Sequence, residues 1–336
     1  MNRIRKLLMH LPLILICTAA AAVAVTGIYA GIVYLRGKDM VEDRTGNSNV
    51  NVMLTRPEDW HRIQSGSIYL RREDLARIDG STATIPITAE LARQFCNASD
   101  DEIDEYVDHN TTHWAYENLM QDKKKDIIFV TEPSEYERQE ADDLGIELDI
   151  TPIALDGFVF ITHKDNPVDS LTTEQIQGIY SGSITNWSEV GGADERIIPY
   201  QRERNSGSQT AMENMVMKDV PLMKPAESYI EVEGMGDLVE HIAEYENRNN
   251  SIGYTYYYYI NNLYKSDDIK VLAINGVTPD NENLISGKYP YSTAYYAVMR
   301  KGQYGMAPTL RDYLLTDEGQ EIIELAGYCP VGGEEE

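Results

Sequence analysis

The chain has 336 residues with 29 basic and 55 acidic side chains, a formal net charge of −26. That length holds one two-lobed domain or two ordinary ones with a sizeable core, and so acidic a balance argues against nucleic acid as a partner. Small anions are repelled at long range as well, so an anion site here has to work through short, desolvated hydrogen bonds.

Residues 1–6 carry Arg3, Arg5 and Lys6 and read as a basic cytoplasmic N-terminus. Residues 7–35, "LLMHLPLILICTAAAAVAVTGIYAGIVYL", contain no Asp, Glu, Lys or Arg and are long enough to cross a bilayer with tilt. The length of this run, with His10 and Pro12 near its start, favours an uncleaved transmembrane anchor over a cleaved signal peptide. The positive flank places the remainder outside the cytoplasm. Cys17 follows Ile16, where a lipoprotein signal needs a small residue, and reads as membrane-facing. Five basic groups and no acidic one lie in residues 1–38, which leaves 24 basic against 55 acidic beyond, a net −31 for the exterior part. Its two cysteines, Cys96 and Cys329, are compatible with a disulfide or with two separately buried thiols.

Residues 36–75 read as a juxtamembrane spacer, acidic and polar at first ("DMVEDRTGNSN"), with some local structure near its end. Then "ARIDGSTATIPITAELARQF" predicts a short strand, a hydroxyl-rich turn and a helix with Pro86 at its first position. "HNTTHWAYENLM" places Thr111 and Thr112 before a second helix, and "DIIFV" is a buried strand leading into the acidic loop "TEPSEYE". "ITPIALDGFVFITHKDNPV" reads as two β-rich pieces around Asp156-Gly157, and Thr172 with Gln175 forms a capping-box pattern. "PYQRERNSGSQTAM" sets Arg202 and Arg204 before Ser206-Gly207-Ser208, where Met212, Met215 and Val216 give one apolar helix face. "NSIGYTYYYYI" and "IKVLAINGV" are further strands, the tyrosine run serving as packing at an edge or hinge.

Three hydroxyl-rich loops thus feed helix N-termini, whose unpaired N–H groups and positive dipole suit a small oxyanion. The plainer reading of the third is an ordinary serine N-cap beside two solvated arginines. Enzyme signatures are missing: there is no G-x-S-x-G elbow, P-loop or H-E-x-x-H, and the six histidines show no metal-ligand spacing. No cofactor is implied.

"DNPVDSLTTEQIQGIYSGSITNWSEVGG", "RERNSGSQTAMENM", "NSIGY", "KYPYSTAYYAV" and "TDEGQEIIELAGYCPV", in this order and spacing, resemble the PstS-like phosphate-binding proteins of ABC transporters. The resemblance covers roughly residues 76–332. It implies an α/β, two-lobed type II periplasmic-binding-protein fold with a ligand cleft, preceded here by the N-terminal transmembrane helix. One lobe would comprise 76–158 with 271–334, the other 159–270. Arg202 would be the clamp arginine, with Ser206, Gly207 and Ser208 donating to ligand oxygens and Arg204 without a role. The family's first loop falls on Thr82, Thr84 and the N–H of Ile85, its second on Thr111 and Thr112. Glu132 stands within one residue of the family's aspartate, as the acceptor for a phosphate proton. Two departures are visible: Ser208 replaces the usual threonine, and Thr131-Glu132 replaces the usual residues after "DIIFV". The function implied is not enzymatic: capture of inorganic phosphate for an ABC permease by a receptor that a single-pass anchor holds outside the cell membrane. A non-transport anion sensor or adhesion module using the same fold is the alternative.

Overall fold

A computed structural model describes residues 60–63, 68–121, 124–224, 231–232, 235–243, 250–264 and 266–331. The expected anchor over residues 7–35 lies outside the described residues. Among the described residues no helix is long and apolar enough to cross a membrane.

The chain opens with helix α1 (Arg72–Leu75), strand β1 (Ile78–Gly80), a 3-10 turn at Thr82–Thr84 and helix α2 (Ile85–Cys96). Packing starts earlier than residue 76. Leu70 and Leu75 are core residues, and the Trp60 indole donates to Glu90 of α2 over 2.8 Å. Helix α3 (Thr112–Met120) and strand β2 (Ile127–Val130) follow, the strand buried along its whole length as an apolar run demands. Helix α4 (Glu135–Asp143) is capped by Ser134, which exchanges hydrogen bonds with Glu137.

Strand β3 (Leu148–His163) is a single strand of 16 residues, where two pieces were expected. It continues through Asp156-Gly157 because it changes partners there. Residues before Phe158 pair antiparallel with β11 (Ser292–Arg300), and those from Phe158 onward pair with β8 (Ser251–Tyr256) and β9 (Ile269–Val271). Its backbone groups therefore stay satisfied on both sides of the junction. Strand β12 (Cys329–Pro330) joins the first half, and β5 (Ile198–Pro199) extends the second by pairing parallel with β8. The order across the sheet is β1-β2-β11-β3-β8-β5. One α/β lobe is built on each half of β3, so this strand crosses between them.

Between β3 and β8 the chain forms β4 (Ser170–Leu171), helix α5 (Thr173–Ser181) with the expected Thr172 cap, β6 (Gln201–Arg202) and helix α6 (Gly207–Ala211). Helix α6 runs on as a π-helical segment, Met212–Met217. Strand β7 (Glu231–Val232) pairs with β6, and helix α7 (Met235–Ala243) packs on β8. The tyrosine run is not all strand. β8 ends at Tyr256, and the chain turns helical through a π-helical Tyr259–Leu263. Just beyond the strand end, Tyr258 stacks on Tyr328 at 3.9 Å. Strand β10 (Ala273–Ile274), helix α8 (Asn281–Ile285), helix α9 (Met306–Leu314) and helix α10 (Asp317–Leu325) complete the chain.

The core of the second half is aromatic. Phe158 and Phe160 of β3 meet Tyr254 and Tyr256 of β8 and Tyr180 of α5 at centroid distances of 5.5 to 6.2 Å. Burying each such ring contributes about 1.5–3 kcal/mol. Cys96 and Cys329 are free thiols, so of the two readings left open by the sequence the unpaired one applies.

Candidate functional site

The site is built where strand ends meet helix starts. β1 and β2 pair parallel with Gly80 opposite Phe129, so the loop after β1 and residue Thr131 after β2 emerge side by side. In open α/β sheets this is where ligands sit. Opposite them stands the N-terminus of α6. Asn205 adopts φ 67°, a left-handed turn that asparagine tolerates, and delivers Ser206 as the cap, its Oγ accepting from the Gln209 N–H over 3.2 Å.

Gly207 marks the meeting point of the two sides. A Cβ on it would lie 2.6 Å from Thr131 Oγ1 and 2.8 Å from Thr112 Oγ1. Both hydroxyls come from the lobe opposite α6, so the missing side chain is what permits this approach. Thr131 and Ser208 are 5% and 1% exposed, and among the described residues Thr131 Oγ1 and Ser208 Oγ have no hydrogen-bond partner. A buried hydroxyl without a partner costs about 1–3 kcal/mol. Two such hydroxyls, on Thr131 and on the residue next to Gly207, are available to a polar group.

Arg202 is 7% exposed at the end of β6, its backbone N–H donating to the Tyr254 hydroxyl over 3.0 Å. The Tyr256 hydroxyl donates to the Gly207 carbonyl over 2.9 Å. Burial pushes that phenol far above its usual range, against smaller downward pulls from the nearby Thr131 hydroxyl and then the Arg202 charge. Arg204 is exposed.

A cleft of about 200 Å³ opens from this point. Thr131, Glu132, Tyr296, Ser292 and Thr293 line one side, and Gly207, Thr210, Asn214 and Met215 the other, with Tyr256 between. Glu132 lines the mouth with its side chain about half exposed. Its Oε1 accepts from the Tyr296 hydroxyl over 3.2 Å, and its Oε2 lies 3.5 Å from Arg138 Nη2. Burial and then the Glu132 charge push the Tyr296 phenol up to about 12, so it remains a donor.

The first loop is arranged differently from expectation. Thr84 is fully buried with its hydroxyl 2.6 Å from the Phe129 carbonyl and 2.9 Å from the Ser81 carbonyl, and the Ile85 N–H turns back to the Thr82 carbonyl. Both groups close the loop upon itself and onto β2. Thr82 is half-buried, and Thr111 is half-buried at the N-cap of α3. Pro86 is the second rather than the first residue of α2, since Ile85 already has helical torsions. Thr131 was noted from sequence only as a departure from the family pattern, not as a site residue. Its signal was available in its place directly after a buried parallel strand.

Residues 69–318 match the PBP superfamily domain. The phosphate-binding protein PstS of Bacillus subtilis is 27% identical over 180 residues, 53% of this chain and 56% of that protein, so the match spans little more than half of the relative. PstS of Staphylococcus saprophyticus is 27% identical over 264 residues, 74% of this chain and 78% of that protein. The structure of a putative phosphate ABC transporter substrate-binding protein from Clostridium perfringens, with bound phosphate, aligns with a TM-score of 0.58 at 28% identity. It covers 76% of this chain and 98% of that one. By sequence and fold, this chain belongs to the PBP superfamily and is similar to the phosphate-binding proteins PstS.

Proposed function

We propose that the protein is an extracytoplasmic receptor that captures inorganic phosphate between its two lobes for an ABC importer, without catalysis. The observation that carries the reading is the pair of partnerless buried hydroxyls, Thr131 Oγ1 and Ser208 Oγ, at the Gly207 approach, with Arg202 buried in the preceding β6. Together they offer the donors and the one positive charge that an oxyanion needs in a dry site. The names of the relatives and the phosphate in the Clostridium perfringens structure support the same ligand.

In this reading Arg202 neutralises the anion, and Ser206, Gly207 and Ser208 present hydroxyl and N–H donors from the start of α6. Thr112 and Thr131 close from the other lobe. Thr82, Thr84, Ile85 and Thr111 shape the loops behind them. Glu132 accepts the proton that phosphate retains near neutral pH and that sulfate lacks. Residues 7–35 tether the receptor beside its permease in the cell membrane, and the two lobes divide near residues 158 and 270. Calorimetric titration of the full chain with phosphate, sulfate and a phosphomonoester tests the ligand. Saturable 1:1 binding of phosphate is expected, and no heat from any of the three would overturn the proposal. For the tether, the chain is expected to stay with membranes through high-pH washing; release by that wash would contradict it.

A further inference from the structure

Buried beneath the first loop is a histidine that the anion clamp described above does not use. His109 is 1% exposed and stands two residues before Thr111. Its ring crosses from the second hydroxyl-rich loop to the first. Nδ1 lies 3.0 Å from the Ser81 carbonyl, and Nε2 lies 2.9 Å from Thr88 Oγ1 in the first turns of α2. A carbonyl can only accept, so Nδ1 carries the hydrogen and Nε2 accepts from the threonine. The fit is close: a Cβ on Gly80 would come within 2.7 Å of His109 Cε1.

Asp79 braces the same two loops from below. Its Oδ1 accepts the N–H groups of Gly80 and Asn110, each over 2.7 Å, and its Oδ2 accepts the side-chain amides of Asn110 and Asn118, each over 2.9 Å. Ser81, the residue that His109 holds, in turn donates its N–H to the Phe129 carbonyl over 3.0 Å, two residues before Thr131. The ring is thus coupled to the side of the cleft that faces Gly207.

We propose that His109 is a positioning residue for anion binding: its Nδ1–H, donated to the Ser81 carbonyl, locks the first loop to the second in the register that binding requires. This inference rests on the phosphate reading of the site. The imidazole acts uncharged. Burial holds it below its ordinary range, with Asp79, the Ser81 carbonyl and Asp108 pulling upward and Lys125 downward. Its contribution is therefore geometry and not charge.

The test compares His109→Asn, His109→Gln and His109→Leu in the full chain, reading phosphate affinity by calorimetry well below each variant's melting temperature. The asparagine amide nitrogen reproduces Nδ1, and the glutamine amide nitrogen reproduces Nε2. His109→Asn is expected to recover most of the wild-type affinity. His109→Gln and His109→Leu are expected to lose about three- to tenfold, the scale of one intramolecular hydrogen bond. If the ring merely filled space, the larger glutamine would be the better replacement, and glutamine equal to or better than asparagine overturns the proposal. The ratio of wild-type to His109→Asn affinity should stay flat from about pH 8 to about pH 6, which also cancels the titration of phosphate itself. A ratio that climbs as pH falls would show an imidazolium acting as a charge and would likewise overturn it. Absence of phosphate binding by the wild type would remove the underlying reading and this inference together, whereas normal wild-type binding with three equal variants removes the inference alone.

Discussion

Gly207→Ala is the smallest change that probes the closed cleft. The glycine does not have a positive φ, so alanine fits the backbone and the perturbation is one methyl group. That methyl carbon would sit 2.6 Å from Thr131 Oγ1 and 2.8 Å from Thr112 Oγ1. Ordinary non-bonded contact lies near 3.5 Å, so the opposing lobe has to retreat by roughly 0.7 Å or more. Hydrogen bonds to an anion held between the lobes would lengthen from about 2.9 Å to about 3.6 Å, beyond useful range. With one charge-assisted bond lost at about 1.5–3 kcal/mol and a second roughly halved, the cost is about 2 to 4 kcal/mol. That is roughly a thirtyfold to a thousandfold loss of phosphate affinity. Helix propensity runs the other way, so the ligand-free melting temperature should hold or rise slightly. Calorimetry and thermal melts read the two effects separately. Unchanged affinity would mean that the threonines rotate aside at no cost and that Gly207 is not where the lobes meet the ligand.

Two further perturbations follow from the same geometry. Glu132→Gln should narrow the preference for phosphate over sulfate by several-fold rather than by orders of magnitude, because the carboxylate is half exposed and screened; unchanged discrimination by calorimetry would take Glu132 out of the site. Asp156 carries a pH signature. Burial raises its carboxyl to about 7 against the opposing N–H donors of Tyr258 and Gly157. The folded state then holds a proton that the unfolded chain has released above about pH 4, so stability falls as pH rises from about 4 to about 7 and levels off beyond. The slope is at most about 1.4 kcal/mol per pH unit. Asp156→Asn should flatten it in denaturant titrations at a series of pH values, and an unaltered slope would refute the assignment.

Local features of this fold were readable from sequence because they depend on neighbours in the chain. The Thr172 and Ser206 caps, the buried strand after Asp126 and the hydroxyl-rich loops all lie within a few residues of the groups they serve. Non-local partners were not readable. That β3 runs unbroken through Asp156 follows from pairing with β11 and β8, more than 90 residues away in the chain. Where the tyrosine run leaves the sheet after Tyr256, Tyr258 stacks on Tyr328, a partner 70 positions on. In the sequence His109 is one of six histidines without metal-ligand spacing. Its role depends on Ser81 and Thr88, which reach it only through the fold. Thr84 looked like a ligand donor, yet its hydroxyl turns toward the Phe129 carbonyl, a partner 45 positions on.

Arg202 is the residue on which anion capture depends most. Phosphate titrations of wild type, Arg202→Ala and Arg204→Ala measure it directly, since the two arginines are two residues apart and differ in burial. Loss of about 2 to 5 kcal/mol, thirtyfold or more, is expected for Arg202→Ala, the scale for removing one partner of a buried charged contact. Arg204→Ala should stay within about threefold of wild type, as an exposed and screened charge does. Equal losses in the two variants, or wild-type affinity in Arg202→Ala, would contradict the clamp.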